Sequence, residues 1–231
     1  MKSMQTKTTL ALALATGAIC CGLAQGALYN VDFYGGDDKG LMSGAAATGS
    51  AGDTWNNIQG GFGATTVNDL VDSTGATIVG TSISIDGNSS WSSFAGDGTY
   101  GTAEALMRDY IITGPSVSST VTITVAEASS AYTLYLYGVT NFAPQDTTFT
   151  VVGANEGPQT VTSPDTSGPL TVVEDYVVFT GTTDGSGTIQ IDYTGGSSFS
   201  AFDGLQLDVV PEPSTFTLFG MVSLGLLRRR R

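Results

Sequence analysis

Short runs in which every second residue is apolar recur from residue 27 to residue 209, and a period of two restricts this region to β-structure. In Leu28–Phe33, the side chains of Tyr29, Val31 and Phe33 share one face, as Ile83 and Ile85 do in Thr81–Ile85. Val121, Ile123 and Val125 alternate with threonines in Ser119–Val125, and in the next run Tyr132, Leu134 and Leu136 oppose Tyr135 and Tyr137. Further strands are expected at Thr148–Val152, Leu170–Thr180, Thr188–Tyr193 and Phe202–Val209. Asp86-Gly87-Asn88, Asp97-Gly98 and Asp184-Gly185-Ser186-Gly187 read as turns. Only Thr102–Ile112, with Ala103, Leu106, Met107 and Tyr110 at helical spacing, predicts a helix, and a short one. Many short strands with Gly-rich turns give an all-β fold, a single antiparallel β-sandwich over residues 27–209. The jelly-roll type is preferred because the first and last strands both read as buried. An immunoglobulin-like sandwich stays open, since strand count does not separate the two.

Charge is distributed unevenly. The 231 residues carry 8 Lys+Arg against 21 Asp+Glu, a net charge of −13. Lys2, Lys7 and Arg228–Arg231 lie at the extremities, so residues 27–209 keep only Lys39 and Arg108 against all the acids but Glu212: 2 − 20 = −18. Cys20 and Cys21 also lie outside this body, and the chain has no histidine. The body therefore cannot hold a disulfide, a Cys/His zinc site, a Ser-His-Asp triad or a thiol nucleophile. Nucleic acid is excluded as a partner on the same grounds, because almost nothing is present to neutralise phosphates.

Both ends read as addresses. Residues 1–26 have the order of a secretory signal peptide: Lys2 and Lys7, an apolar stretch from Leu10 to Leu23, then small residues, with Gly22-Leu23-Ala24 or Ala24-Gln25-Gly26 as the cleavage triplet. Ile19 before Cys20 is too large for a lipoprotein signal. Residues 210–231 begin with Pro211-Glu212-Pro213, continue through an apolar segment at 214–227 and end on Arg228, Arg229, Arg230 and Arg231. A helix-breaking proline pair, an apolar segment and a cationic stop held on the cytoplasmic side make a membrane-directed tail. Fourteen residues of helix span about 21 Å against a hydrocarbon core of about 30 Å, which suits transient contact with the membrane better than a permanent anchor.

This ending resembles the PEP-CTERM sorting signal. The resemblance implies an exported protein of an exopolysaccharide-producing Gram-negative bacterium, handed by the export machinery to an exosortase that recognises Pro-Glu-Pro and removes the tail. It implies a secreted or cell-envelope location. The pairing of Ser119–Val125 with Ala131–Val139, followed by Phe202-Asp203-Gly204-Leu205-Gln206-Leu207, is loosely similar to the jelly-roll, galactose-binding-like modules of such surface proteins.

Carboxylates, hydroxyls and aromatic rings are what remains for function. Asp32, Asp109 and Asp203 lie within or beside expected strands, and Asp203 meets Asp32 if the terminal strands pair; the plainer reading is that each accepts backbone N–H groups. A glycosidase needs two carboxyls about 5–10 Å apart, a condition that so many acids meet without discrimination. Calcium, the one cofactor considered, suits hard oxygen ligands, with Asp37, Asp38, Asp86 and Asp184 as candidate ligands and Asp53 beside them, although each Asp-Gly pair also reads as a turn. For glycan binding the candidates are Trp55, Trp91, Tyr34 and Tyr100, with Phe142 similarly placed; the alternative is that both tryptophans seal the ends of the sandwich. The expectation is a non-catalytic structural or exopolysaccharide-binding component of the envelope. The alternative is a carboxylate-dependent polysaccharide hydrolase or lyase, in which Lys39 and Arg108 alone could stabilise an anionic transition state.

Overall fold

The computed structural model describes residues 26–35, 41–61, 63–92, 105–138, 146–162, 175–196 and 198–210, with backbone only for 87–92. Thirteen strands follow in order. They are β1 (Ala27–Tyr34), β2 (Asn56–Gln59), β3 (Gly63–Asn68), β4 (Ser82–Ser92), β5 (Asp109–Thr113), β6 (Ser118–Thr124) and β7 (Ala131–Tyr137), then β8 (Asp146–Val151), β9 (Gln159–Thr162), β10 (Tyr176–Thr182), β11 (Thr188–Gly195), β12 (Ser200–Phe202) and β13 (Gly204–Val210). The smaller sheet has the order β10-β7-β13-β1-β2. In the larger one the order is β12-β5-β4-β6-β11-β8-β9, with β3 paired to β4. All neighbours in these sheets are antiparallel except β1 and β2, which run parallel.

The alternating apolar residues of both sheets meet in one core. Val31, Leu134, Leu136, Leu205 and Leu207 face Ile83, Val121, Ile123, Ile189 and Ile191, all buried. Phe202 joins the layers: its ring lies 5.0 Å from Phe33 of the smaller sheet, and 4.9 and 5.2 Å from Phe149 and Tyr193 of the larger, each time edge to face. Such pairs add to the burial of area, because the positive ring edge meets a negative face.

Register decides the topology. β6 pairs with β11 in one sheet while β7 pairs with β10 in the other. The β6–β7 ribbon and its β10–β11 return therefore fold together over the edge of the sandwich, which is jelly-roll connectivity. At that corner the Ser129 N–H donates to Asp184 O (3.0 Å), Thr183 N–H to Ser130 O (2.9 Å) and Val125 N–H to Gly187 O (2.9 Å). Gly187 has φ +79°, and a Cβ there would stand 2.3 Å from Val125 O, so only glycine fits.

Two expectations fail. The helix expected at Thr102–Ile112 is absent from its described part: 105–108 is a turn and Asp109–Thr113 is β5, with 102–104 outside the described residues. A helix that short is marginal, whereas Tyr110-Ile111-Ile112 gain ladders with both β4 and β12. Asp86-Gly87-Asn88 is not a turn either, because β4 runs through it, pairing on to β5 and absorbing one irregularity against β3. Of the short strands, β2, β3 and β9 carry no period-two apolar run and are set by their neighbours.

On the outer side of the larger sheet, register lines up Thr66–Ser84–Thr122–Gln190 in one row, Thr120–Asp192–Thr150 in the next and Ser118–Thr194–Thr148–Thr160 beyond. Truncating the bridging ring tests the core. Phe202→Ala should lower unfolding free energy by about 3–5 kcal/mol in urea denaturation, and Gly187→Ala should cost about 1–3 kcal/mol through backbone strain alone.

Candidate functional site

Three of the flagged acids, Asp32, Asp109 and Asp203, collect at one pole of the sandwich. β1 and β13 pair, with Asp32 opposite Gly204, so Asp32 and Asp203 fall at neighbouring ladder positions. Asp203 sits where the chain crosses from β12 to β13, its N–H donating to Tyr137 O (3.0 Å) and its C=O accepting from Phe33 N–H (2.8 Å). Asp32 Oδ2 accepts the Met42 N–H at 3.1 Å. Asp175, which sequence reasoning did not single out, accepts the Gly138 N–H on its carbonyl at 3.3 Å. Asp32, Asp109, Asp175 and Asp203 are no more than 1% exposed, and each has interaction partners, as does Arg108. The Asp32 carboxylate thereby fastens segment 41–55 to β1. Their field is nevertheless felt: the Tyr110 hydroxyl is pushed well above the ordinary tyrosine range, first by burial and then by Asp203 and Asp109.

Segment 41–55 crosses the outer face of the smaller sheet and is tied down by side chains pointing out from it. The Met42 N–H is shared by Asp32 Oδ2 and Asn57 Oδ1. Ala47 N–H donates to the Tyr137 hydroxyl (2.9 Å), which donates to Gln206 Oε1 (2.5 Å). Gln206 also accepts from Thr48 N–H (3.1 Å) and donates to Asn30 Oδ1 (2.8 Å). Trp55 closes the segment. It is 5% exposed and its indole N–H donates to Gly44 O at 2.7 Å, so Trp55 is a core seal and not a ring on which a sugar can stack. The polar surroundings Asp53-Thr54-Trp55-Asn56-Asn57 suggested a loop tip, but Asn56 and Asn57 spend their amides on backbone within the fold.

Beside this covered area the same face carries a group of tyrosines. Tyr135 and Tyr176 are half-buried, with ring centroids 6.0 Å apart, and Tyr176 lies 5.6 Å from Tyr137. Burial, then Tyr135 and Asp175, raises the Tyr176 hydroxyl above its ordinary value. The alternation of Tyr132, Leu134 and Leu136 with Tyr135 and Tyr137 already placed two of these rings on the outer face, but their meeting with Tyr176 follows from the β7–β10 register.

The other flagged residues do not join them. Tyr34 is half-buried at the end of β1, next to Gln59 of β2. The Trp91 backbone pairs with Tyr110, and its side chain lies outside the described residues, as do Asp37, Asp38, Lys39, Tyr100 and Phe142. Asp86 is exposed on β4. Asp184 Oδ1 accepts from Ser186 N–H, Ser186 Oγ and Thr188 N–H within 2.8 Å, which holds the β10–β11 turn and lowers its pKa, the Thr188 N–H contributing most. Among the described residues no three acids stand where they could share a metal ion, and no helix is long and apolar enough to cross a membrane.

Past β13 comes the Pro211-Glu212-Pro213, apolar and arginine sequence, and it matches the model of a PEP-CTERM protein-sorting motif over 209–231. Residues 209–231 are a PEP-CTERM tail. The PEP-CTERM tail is the substrate signal of exosortase and marks a protein exported and sorted to the cell surface or envelope. No curated protein matches the sequence significantly. Among solved structures, the chain is similar to the exo-β-1,3-galactanase of Phanerochaete chrysosporium bound to β-1,3-galactotriose, with 21% identity over 52% of this chain and 26% of that one and a TM-score of 0.31. It is also similar to TmCBM61 in complex with β-1,4-galactotriose (11% identity, 55% of this chain, 87% of that one, TM-score 0.27). A third is the CBM22-1 xylan-binding domain of Paenibacillus barcinonensis Xyn10C (13%, 64%, 86%, TM-score 0.27). The chain thus spans about a quarter of the galactanase's length. TM-scores this low mark partial likenesses, and no ligand or activity passes from those proteins to this one.

The titrating groups give a definite pH profile. Asp72, Glu156 and Asp184 have folded pKa values below their unfolded ones, so their contribution is present above about pH 4 and lost as pH falls through the folded values. Tyr110, Tyr137 and Tyr193 have raised values, chiefly from burial, so their contribution is present below about pH 10 and lost above it. The melting temperature should therefore fall below about pH 4 and again above about pH 10; equal stability at pH 7 and at either extreme in a pH series of melts would contradict this.

Proposed function

We propose that this protein is an exported, non-catalytic β-sandwich of the cell envelope or extracellular matrix that binds exopolysaccharide, with residues 1–26 removed as a signal peptide. The host implied is an exopolysaccharide-producing Gram-negative bacterium. The observation that carries glycan binding is the half-buried pair Tyr135–Tyr176 on the outer face of the smaller sheet, bordered by the hydrogen-bonded segment 41–55. Tyrosine offers an apolar ring for the CH face of a sugar and a hydroxyl for its oxygens, the usual composition of a small-ligand site. The net charge of −13 keeps copies soluble and apart, and directs the choice of glycan away from strongly anionic chains.

A carboxylate-dependent hydrolase or lyase is the rival reading, favoured by the gathering of Asp32, Asp109 and Asp203 at one pole. Their burial favours binding over catalysis. Incubation with neutral and acidic polysaccharides separates the two: no new reducing ends and no unsaturated product should form, and turnover abolished by Asp109→Asn would establish the enzyme. Tyr135→Ala together with Tyr176→Ala should weaken oligosaccharide binding about tenfold in calorimetry, a loss of about 1.4 kcal/mol from two stacking contacts. For the sorting step, mass spectrometry of protein recovered from the cell surface should find the chain ending near Pro211–Pro213; recovery with Arg231 still attached would refute processing.

A further inference from the structure

The outer face of the larger sheet is dominated by hydroxyls. Thr122 of β6, Thr148 of β8 and Thr194 of β11 stand in rows with serines, a glutamine, Asp192 and further threonines, and among the described residues of these rows there is no lysine, arginine or aromatic side chain. We infer that this face is a second contact surface, independent of the tyrosine pair, for a neutral, extended polysaccharide held by hydrogen bonds to rows of hydroxyls.

Geometry supplies the first argument. Rows on adjacent strands repeat about every 4.8 Å, and alternate residues along a strand about every 6.6 Å, so the hydroxyls form a regular two-dimensional grid that meets a polymer at many points at once. The grid is rigid. Threonine has few χ1 states, and the rotamers are fixed further by bonds between strands: Thr66 Oγ1 with Ser84 Oγ (3.1 Å), Thr120 Oγ1 to Asp192 Oδ1 (2.7 Å), Thr148 Oγ1 with Thr160 Oγ1 (2.9 Å). A hydroxyl has one donor and two acceptor positions, so each keeps capacity for a ligand after making its bond within the sheet. Little side-chain freedom is lost on binding, and many weak bonds add along a polymer.

Charge supplies the second. A chain of net charge −13, with Asp86 and Asp192 on this face and no cation among the described residues of its rows, repels uronate and sulfate polymers as it repels nucleic acid. Protein partners look for buried aromatic or aliphatic anchors, which these rows do not offer. A neutral polymer dense in hydroxyls, able to donate and accept at every ring, is the occupant that matches.

The test uses the full chain purified after export, co-sedimented with an insoluble neutral glucan and titrated with a soluble neutral galactan and with polygalacturonate. Thr122→Val with Thr194→Val removes hydroxyls without changing shape or strand preference. It should weaken binding of the neutral polymers at least tenfold, while Thr122→Ser with Thr194→Ser stays within about threefold of the parent and both pairs keep its melting temperature. Binding of the valine pair at parental strength overturns the surface assignment and leaves glycan recognition to the tyrosines, which the Tyr135→Ala and Tyr176→Ala pair reports separately. Polygalacturonate bound as tightly as the neutral chains overturns the choice of polymer. A parent that self-associates in sedimentation, with the valine pair monomeric, overturns it in favour of a second copy. Failure of the parent to bind any neutral polymer removes both this inference and the glycan reading.

Discussion

The contact between the two sheets at Phe202 is what the rest of the fold depends on. One ring, delivered by β12 just before the chain crosses at Asp203, packs edge to face against Phe33 from the smaller sheet and against Phe149 and Tyr193 from the larger. A sandwich with no disulfide in its body must draw its cohesion from such interdigitation, and the edge-to-face geometry fixes the lateral position of one layer on the other as well as their separation. That position then sets which side chains point outward, and so which surfaces are left for function.

The two outer faces have opposite fates. On the smaller sheet, Asn30, Tyr137 and Gln206 are consumed in holding segment 41–55, and the tyrosines towards β10 stay in partial contact with solvent. On the larger sheet the threonine rows run from half-buried at the centre to exposed at Thr66, Ser118, Thr160 and Gln190. Polar residues that look alike in composition thus divide into internal fasteners and an open surface. Asp32 belongs to the first kind: its carboxylate accepts the Met42 N–H and holds the segment to β1.

The alternating runs at Leu28–Phe33, Ser119–Val125, Thr188–Tyr193 and Phe202–Val209 were legible because burial on one face imposes a period that the residues themselves display. β5 was not, because Leu106 and Met107 are buried from a turn and happen to stand at helical spacing. The same limit applies to the sites. Trp55 sits among polar neighbours in the sequence, yet its surroundings in space are Gly44 and the core; Tyr176 meets Tyr135 only through a register between strands nearly forty residues apart. The sorting tail was readable from its order of parts alone, since a proline pair, an apolar run and terminal arginines act through linear sequence.

The ladder between β1 and β13 puts the beginning and the end of the body side by side at the centre of the smaller sheet, Ala27 against Val209. No earlier strand can take the place of β13 between β1 and β7, so that sheet stays open at its middle until nearly the whole chain has emerged. Contacts of such long sequence separation form slowly. The sorting motif begins at residue 209, inside the same strand. The last ladder of the smaller sheet and the first residues of the tail are therefore one stretch of chain, so a change at 209 or 210 touches fold and sorting signal together.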